Sequence, residues 1–356
     1  MKVKTLPDTD SYNKFMSNIQ RLLENKHNDK IDYKQLINKY PWIVEKNHKA
    51  ILSPDSDGLL CGLFMSHYFG WTIEGFYDGK VMVLKDAIKP KDCIFLDMEI
   101  SRSDIRSLGH HMLLLNKNNK PSNWDEKFKN CIQPNNLREY DGKHDFRLKY
   151  PLATIHILMG IVNEHTRVIL DEDSIPPLYF TDGVFNVLFS YPENVLNWLN
   201  YLDADKKDSP LNIIFENEKY TTIINLMREM DNFFRERDKI SIPHERGDRL
   251  KISTKDGEHY NTEKDGSNYR INQNAVKRIE KFLTLLGSLT KWEYKKNSWR
   301  WNGFKLYKFT KSSFEKDGKT LTNINFKEFF DKNPLSWAMT SGINIEYTLE
   351  TPDKME

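Results

Sequence analysis

A short apolar run that ends in an acidic turn and passes at once into a helix sets most of what this chain can become. Lys49-Ala50-Ile51-Leu52-Ser53 reads as a strand, Pro54-Asp55-Ser56-Asp57-Gly58 as a turn, and Leu59-Leu60-Cys61-Gly62-Leu63-Phe64-Met65 as a helix. The pattern returns more loosely. Trp71-Thr72-Ile73-Glu74-Gly75-Phe76 reads as a strand, Cys93-Ile94-Phe95-Leu96-Asp97 as a buried strand ending in a carboxylate, and His111-Met112-Leu113-Leu114-Leu115 as a third apolar run. Short buried strands alternating with helical segments predict an α/β fold, a parallel sheet flanked by helices. Ligands of such sheets sit beyond the carboxyl ends of the strands, where Asp55, Asp57 and Asp97 fall.

The rest of the chain divides by pattern. Polar sequence with Phe15, Ile19, Leu22 and Leu23 at helical spacing predicts one or two amphipathic helices between residues 11 and 40. Residues 151–164, 184–202 and 211–237 also read as helices, as does a stretch near 274–286. After it, Trp292, Tyr294, Trp299, Trp301, Phe304, Leu306, Tyr307 and Phe309 alternate as in hairpin strands. The expected organisation is a helical extension (1–45), an α/β domain (46–205), a helical connector (206–242) and a smaller α+β domain (243–356), with substrate in the cleft between the two larger units.

Composition narrows the function classes. Over 356 residues, 53 Lys and Arg against 51 Asp and Glu leave a net charge of +2, so attraction to a polyanion has to come from a local surface. No run of about 18 apolar residues occurs, and the first residues lack the apolar core of a signal peptide. The expectation is a cytoplasmic protein with no membrane association. Cys61, Cys93 and Cys131 form no close pair, which argues against a disulfide framework or a thiolate zinc site.

Asp55 and Asp57, two apart on one turn, raise each other's pKa unless a cation lies between them; alone they also fit an acidic cap on the helix that follows. Asp97 ends a second strand, and Gly109-His110-His111 precedes the next apolar run. Carboxylate and imidazole together suit Mn²⁺, Fe²⁺ or Zn²⁺, with Mg²⁺ where no histidine is required. Adjacent histidines on a strand point to opposite faces, whereas in a loop one can bind metal and the other a phosphate. Asp182, in Thr181-Asp182-Gly183, reads equally as a ligand or a turn residue. Lys295, Lys296 and Arg300, interleaved with the late aromatics, suit a single-stranded nucleic acid whose bases stack while cations follow its phosphates; a twisted sheet with Lys on its open face accounts for the same pattern.

The order of these motifs resembles the DHH phosphoesterase superfamily, RecJ-like exonucleases and oligonucleotide phosphodiesterases among its members. The resemblance runs over residues 48–205 through Ser53-Pro54-Asp55-Ser56-Asp57-Gly58, Leu96-Asp97-Met98-Glu99, Gly109-His110-His111 and Thr181-Asp182-Gly183. Ser53 and Gly109 stand where the family pattern has Asp. The resemblance implies a metal position on Asp57, Asp97, His110 and Asp182, the remnant of a second on Asp55 and Asp97, and contact of His111 with a substrate phosphate. It implies Mn²⁺, with Mg²⁺ as the alternative. Asp97, His110 and His111 would be the catalytic group, with His111, Lys295, Lys296 and Arg300 binding substrate. The expected activity is hydrolysis of single-stranded nucleic acid or oligonucleotides by metal-activated water. The rival expectations are a noncatalytic subunit that binds nucleic acid or protein, and a small-molecule phosphatase or pyrophosphatase. A protein partner or a second copy of the chain is compatible with either. No clear Gly-rich phosphate-binding motif marks the C-terminal part; Ser341-Gly342-Ile343-Asn344 is a faint substitute.

Overall fold

The computed structural model describes Leu23 and residues 29–243, 247–314, 326–342 and 344–350. The helices expected before residue 29 lie outside the described residues; within them, Tyr33–Lys39 forms helix α1, capped by the Asp32 side chain. The first strand, β1 (Lys49–Leu52), is buried from Ala50 onward. It leads through the acidic turn into α2 (Ser56–Phe69), where Asp55 accepts the Gly58 N–H at 3.2 Å. The bland cap reading of Asp55 therefore holds, whatever else the residue does. Gly58 is required by close approach: a Cβ there would lie 2.0 Å from the Ser53 carbonyl oxygen.

After α2 come β2 (Thr72–Tyr77), β3 (Val81–Lys85), β4 (Cys93–Leu96), β5 (Arg106–Leu108) and β6 (Cys131–Ile132). Helix α3 (Thr154–His165) packs on α2. Further along lie α4 (Ile223–Asp238), β7 (Thr262–Asp265), β8 (Asn268–Ile271), α5 (Gln273–Thr290) and β9 (Phe304–Lys308). All nine strands form one sheet in the order β6-β5-β4-β1-β2-β3-β9-β8-β7. A smaller antiparallel sheet holds β10 (Thr310–Ser313), β11 (Ser336–Ser341) and β12 (Asn344–Leu349) in the order β10-β12-β11.

The α/β class stands, but the large sheet is mixed and not parallel throughout. The pairings β1–β2, β1–β4, β4–β5 and β5–β6 are parallel, while β2–β3, β3–β9, β8–β9 and β7–β8 are antiparallel. The reversal follows from chain length. Only Asp78-Gly79-Lys80 joins β2 to β3, enough for a hairpin and far too short for a parallel crossover. Strand β9 then pairs along the whole of β3, so strands from the C-terminal part extend the N-terminal sheet.

Alternation along the strands supplies two cores. Ala50, Leu52, Ile94 and Leu96 face α2, α3 and α5 in the larger one. Ile51, Cys93 and Phe95 face the other way and pack with Ile100, Ile105, Phe309 and Leu335. The apolar run 111–115 is not a strand: β5 precedes it, and Met112, Leu113 and Leu115 are buried from a loop. The segment 211–237 is two helices, Pro210–Phe215 and α4, because Thr222 caps a new start by accepting the Asn225 N–H. Of the late aromatic stretch Phe304–Lys308 forms a strand of the large sheet and Trp299 adds a single bridge to Ile73 of β2; Trp292 and Trp299 are buried in the main core. All three cysteines are buried thiols.

Candidate metal centre and its cleft

Four side chains from three loops meet beyond the carboxyl ends of β1 and β4: Asp97, His110, His111 and Asp182 offer ligand atoms within 4.8 Å of one another. Asp97 immediately follows β4 and adopts φ 61°, and Asp182 adopts φ 50° in the turn before Val184–Ser190. Left-handed backbone at a residue other than glycine costs on the order of 1 kcal/mol, tolerated best by Asn and Asp. Both strained positions thus carry the converging carboxylates.

The N-terminus of α3 organises the group. Asp57 accepts the backbone N–H of Thr154 at 2.6 Å and of Ile155 at 3.0 Å, one on each carboxylate oxygen. The Thr154 hydroxyl donates to Asp97 Oδ1 at 2.7 Å and lies 2.7 Å from His110 Nδ1. With its single proton committed to Asp97, the hydroxyl can only accept from the imidazole, so His110 carries its proton on Nδ1. The Nε2 lone pair then faces Asp182 Oδ2 at 3.3 Å. Two acceptors at that distance repel unless a proton or a cation joins them. Donors about 2.0–2.2 Å from one metal ion, on adjacent corners of its coordination sphere, stand roughly this far apart.

The electrostatics point the same way. Burial, then Asp57, Asp55 and Asp182, push the Asp97 carboxyl well above the usual range. Burial, Asp57 and Asp55 do the same to Asp182, and burial with Asp55 raises Asp57. Burial and the neighbouring His111 hold His110 well below an ordinary imidazole. Asp97 Oδ2 is buried without a hydrogen-bond partner. An orphaned carboxylate oxygen among other carboxylates and a neutral imidazole is the donor set of a divalent cation, and the residues fit one.

His111 differs from its neighbour. Burial alone would lower it, but the Glu99 carboxylate, with Asp182 and Asp55 behind it, overrides that and raises it to about 9. Glu99 Oε2 lies 3.7 Å from His111 Nδ1, and Oε1 accepts the Met112 N–H at 2.8 Å. This carboxylate occupies the space a side chain at position 109 would need: a Cβ on Gly109 would stand 2.6 Å from Glu99 Oε2. Glu99 and Thr154 are the residues that sequence reasoning missed. Glu99 carried a signal, two positions from Asp97 and on the same side of an extended chain; Thr154 carried none beyond standing at the start of a helix.

A cleft of about 510 Å³ opens from the cluster, bounded by Ser53, Asp55, Asp97 and His111 on one side. Lys80 and Lys311 line it from the strand ends, and Arg249, Lys251 and Lys255 from the segment before β7. The cluster thus brings together Asp97, His110, His111 and Asp182; Asp57 sits behind it, 3.9 Å from His110 Nδ1, and Asp55 at the rim. Lys295, Lys296 and Arg300 are elsewhere. The Arg300 N–H donates to Ile73 at the beginning of β2, its side chain lies 3.5 Å from Glu74, and Lys295 pairs with Glu293 at 3.7 Å. These three occupy the amino-terminal end of the parallel strands, opposite the cleft. Among the described residues no helix is long and apolar enough to cross a membrane.

Comparison with protein-family models, with curated proteins and with solved structures finds no match to this chain.

Proposed function

We propose that the chain is a metal-dependent phosphodiesterase of DHH-like type acting on single-stranded nucleic acid or oligonucleotides. The observation that carries this reading is the convergence of ligand atoms of Asp97, His110, His111 and Asp182 within 4.8 Å of one another, with Asp97 Oδ2 buried and without a hydrogen-bond partner, at the wall of a cleft that also bears basic side chains. Asp97, His110 and Asp182 would hold the ion. Mn²⁺ suits this mixed oxygen and nitrogen set, and Mg²⁺ is the alternative. When bound, the ion lowers the pKa of a water and offsets phosphoryl charge. Asp57, its oxygens already committed to the α3 N-terminus, anchors that helix and thereby Thr154. Thr154 fixes the His110 ring and tautomer. His111, its side chain 38% exposed and kept cationic at neutral pH by Glu99, can donate to a phosphate oxygen in the cleft.

A noncatalytic binding protein is the second reading. It is favoured by the saturation of Asp57 by backbone donors and by Gly109, which leaves no carboxylate at that position.

The test is hydrolysis of end-labelled single-stranded DNA, RNA and short oligonucleotides with Mn²⁺, in wild type and in Asp97→Ala and His110→Ala variants shown to be folded. Mn²⁺-dependent products that both substitutions abolish support the enzyme, and the product ladder identifies the substrate. Binding without cleavage by the wild type supports the second reading. Hydrolysis confined to small phosphoesters or pyrophosphate moves the assignment to a phosphatase.

A further inference from the structure

The cleft holds carboxylates at one end and cations at the other, and the cationic end belongs to a segment that the phosphodiesterase reading did not require. Residues 247–254 run across the cleft pinned at three points. The Leu250 N–H donates to the Pro54 carbonyl at 2.7 Å, the Ser253 hydroxyl to Asp78 Oδ2 at 2.5 Å, and Lys80 Nζ to the Thr254 carbonyl at 2.5 Å. Leu250 and Ile252 are buried between the exposed Arg249 and Lys251, the period-two alternation of an extended chain with one face down, and after the buried Ser253 the exposed Lys255 stands in a turn. All three exposed cations line the same cleft as Asp97 and His111.

The acidic groups that line the cleft beside this strip are already engaged. Asp78 accepts from Ser253 and, on its other oxygen, from the Lys80 and Val81 N–H groups. Glu346 pairs with Lys311 at 2.9 Å. Arg249 and Lys255 form no ion pair among the described residues, and Lys251 lies over the Tyr260 ring at 4.7 Å. Away from the metal cluster the cleft wall is therefore net positive, on a chain whose overall charge is only +2. A local cationic strip beside a phosphoester site is what a polyanionic substrate needs and a small neutral one does not.

We infer that Arg249, Lys251 and Lys255 form the backbone-phosphate contact strip of this site, which gives it a single-stranded oligonucleotide with several phosphates as its substrate class. This rests on the phosphodiesterase reading for the neighbouring cluster. The strip binds phosphates that flank the one at the cluster and reads charge without reading bases.

The experiment is fluorescence anisotropy of a labelled single-stranded hexanucleotide in EDTA across a salt series, with the full chain. It compares wild type, the triple variant Arg249→Ala/Lys251→Ala/Lys255→Ala, and the charge-preserving variant Arg249→Lys/Lys251→Arg/Lys255→Arg. Mn²⁺-dependent hydrolysis of bis(p-nitrophenyl) phosphate is measured in parallel. Loss of three phosphate contacts predicts at least about tenfold weaker binding and a slope of log K against log salt shallower by about 2. The charge-preserving variant should bind as wild type, and turnover of the small diester should stay within about twofold in all three proteins. Unchanged affinity and slope in the alanine variant would overturn the inference, as would a wild type that binds no oligonucleotide, even while small-diester hydrolysis upholds the catalytic reading. Loss of binding by the alanine variant in a protein that hydrolyses nothing supports the strip and removes the enzyme.

Discussion

The two ends of the parallel strands are built from similar residue types and used differently. At the carboxyl ends, Asp97, His110 and Asp182 converge while one carboxylate oxygen is left without a partner. At the amino ends, Glu74 stands near Arg300, Trp299 fills the space beside Gly62, and Trp292 packs on Phe64 with ring centroids 4.8 Å apart. At the amino ends opposite charges stand near one another and rings are packed, although the indole N–H groups of Trp292 and Trp299 have no partner; at the carboxyl ends like charges are crowded under strained backbone. A buried carboxylate oxygen without a partner, crowded by other carboxylates and an imidazole, marks where an absent cation belongs, while a lone indole N–H or an abundance of aromatic and basic residues does not.

The largest effect that would break this comparison is a loss of activity at the wrong end. Asp97→Ala should reduce Mn²⁺-dependent hydrolysis by about 100- to 1,000-fold, the range seen when a group stabilising transition-state charge is removed. The joint variant Lys295→Ala/Lys296→Ala/Arg300→Ala should leave kcat/KM within about twofold. A large loss in the second protein would move the substrate path to the amino ends.

Behind the cluster, His156 is wholly buried on α3 and held neutral, its Nδ1 accepting the Ala153 N–H at 3.2 Å. Burial lowers it from the usual 6.5 to about 4. A depressed pKa means the unfolded chain takes up the proton first, so the associated stability is full above pH 6.5 and is lost as pH falls to about 4. The loss should be about 3 kcal/mol. Urea titrations of wild type and His156→Leu between pH 7 and pH 4 should show the wild type losing that much more; parallel curves would reject the assignment.

Gly109→Asp restores the residue type of the family pattern and should still fail. Its Cβ would meet Glu99, so overpacking should cost about 1–3 kcal/mol of stability, read as a lowered Tm, with no gain in turnover. A stable variant with higher activity would show that Glu99 does not hold that space. Thr154→Val keeps the side-chain volume but removes the buried hydroxyl between Asp97 and His110, and should weaken Mn²⁺ binding about 10- to 100-fold by isothermal titration calorimetry, with a lowered Tm from the polar atoms left without a partner.

Sequence pattern located the ends of the strands well because buried strands and acidic turns are local features. The run from Lys49 to Gly58 and the stop at Asp97 were legible for that reason, and the structure adds Asp182 from 85 positions beyond Asp97 by folding a turn over α2. What escaped was set by contacts distant in sequence. Strand β9 pairs with β3 across more than 200 residues, so the C-terminal strands enter a sheet that no local period could announce. The alternation from Trp292 to Phe309 fits a stacking surface and a sheet with one buried face equally, because aromatic alternation is the same whether its partner is a base or a core. Of the cations that line the cleft, Arg249 and Lys251 alternate with Leu250 and Ile252 over too short a run to stand out, and Lys255 follows in a turn.

The central claim is that Asp97, His110 and Asp182 bind one divalent cation. The most direct measurement is a Mn²⁺ titration of the metal-free protein followed by electron paramagnetic resonance of the free ion, in wild type and in Asp97→Asn shown by circular dichroism to be folded. Saturable binding of Mn²⁺ by the wild type, weakened at least about 100-fold in Asp97→Asn, is the predicted result. A folded wild type that takes up no Mn²⁺, or an Asp97→Asn protein that takes it up equally well, would contradict it.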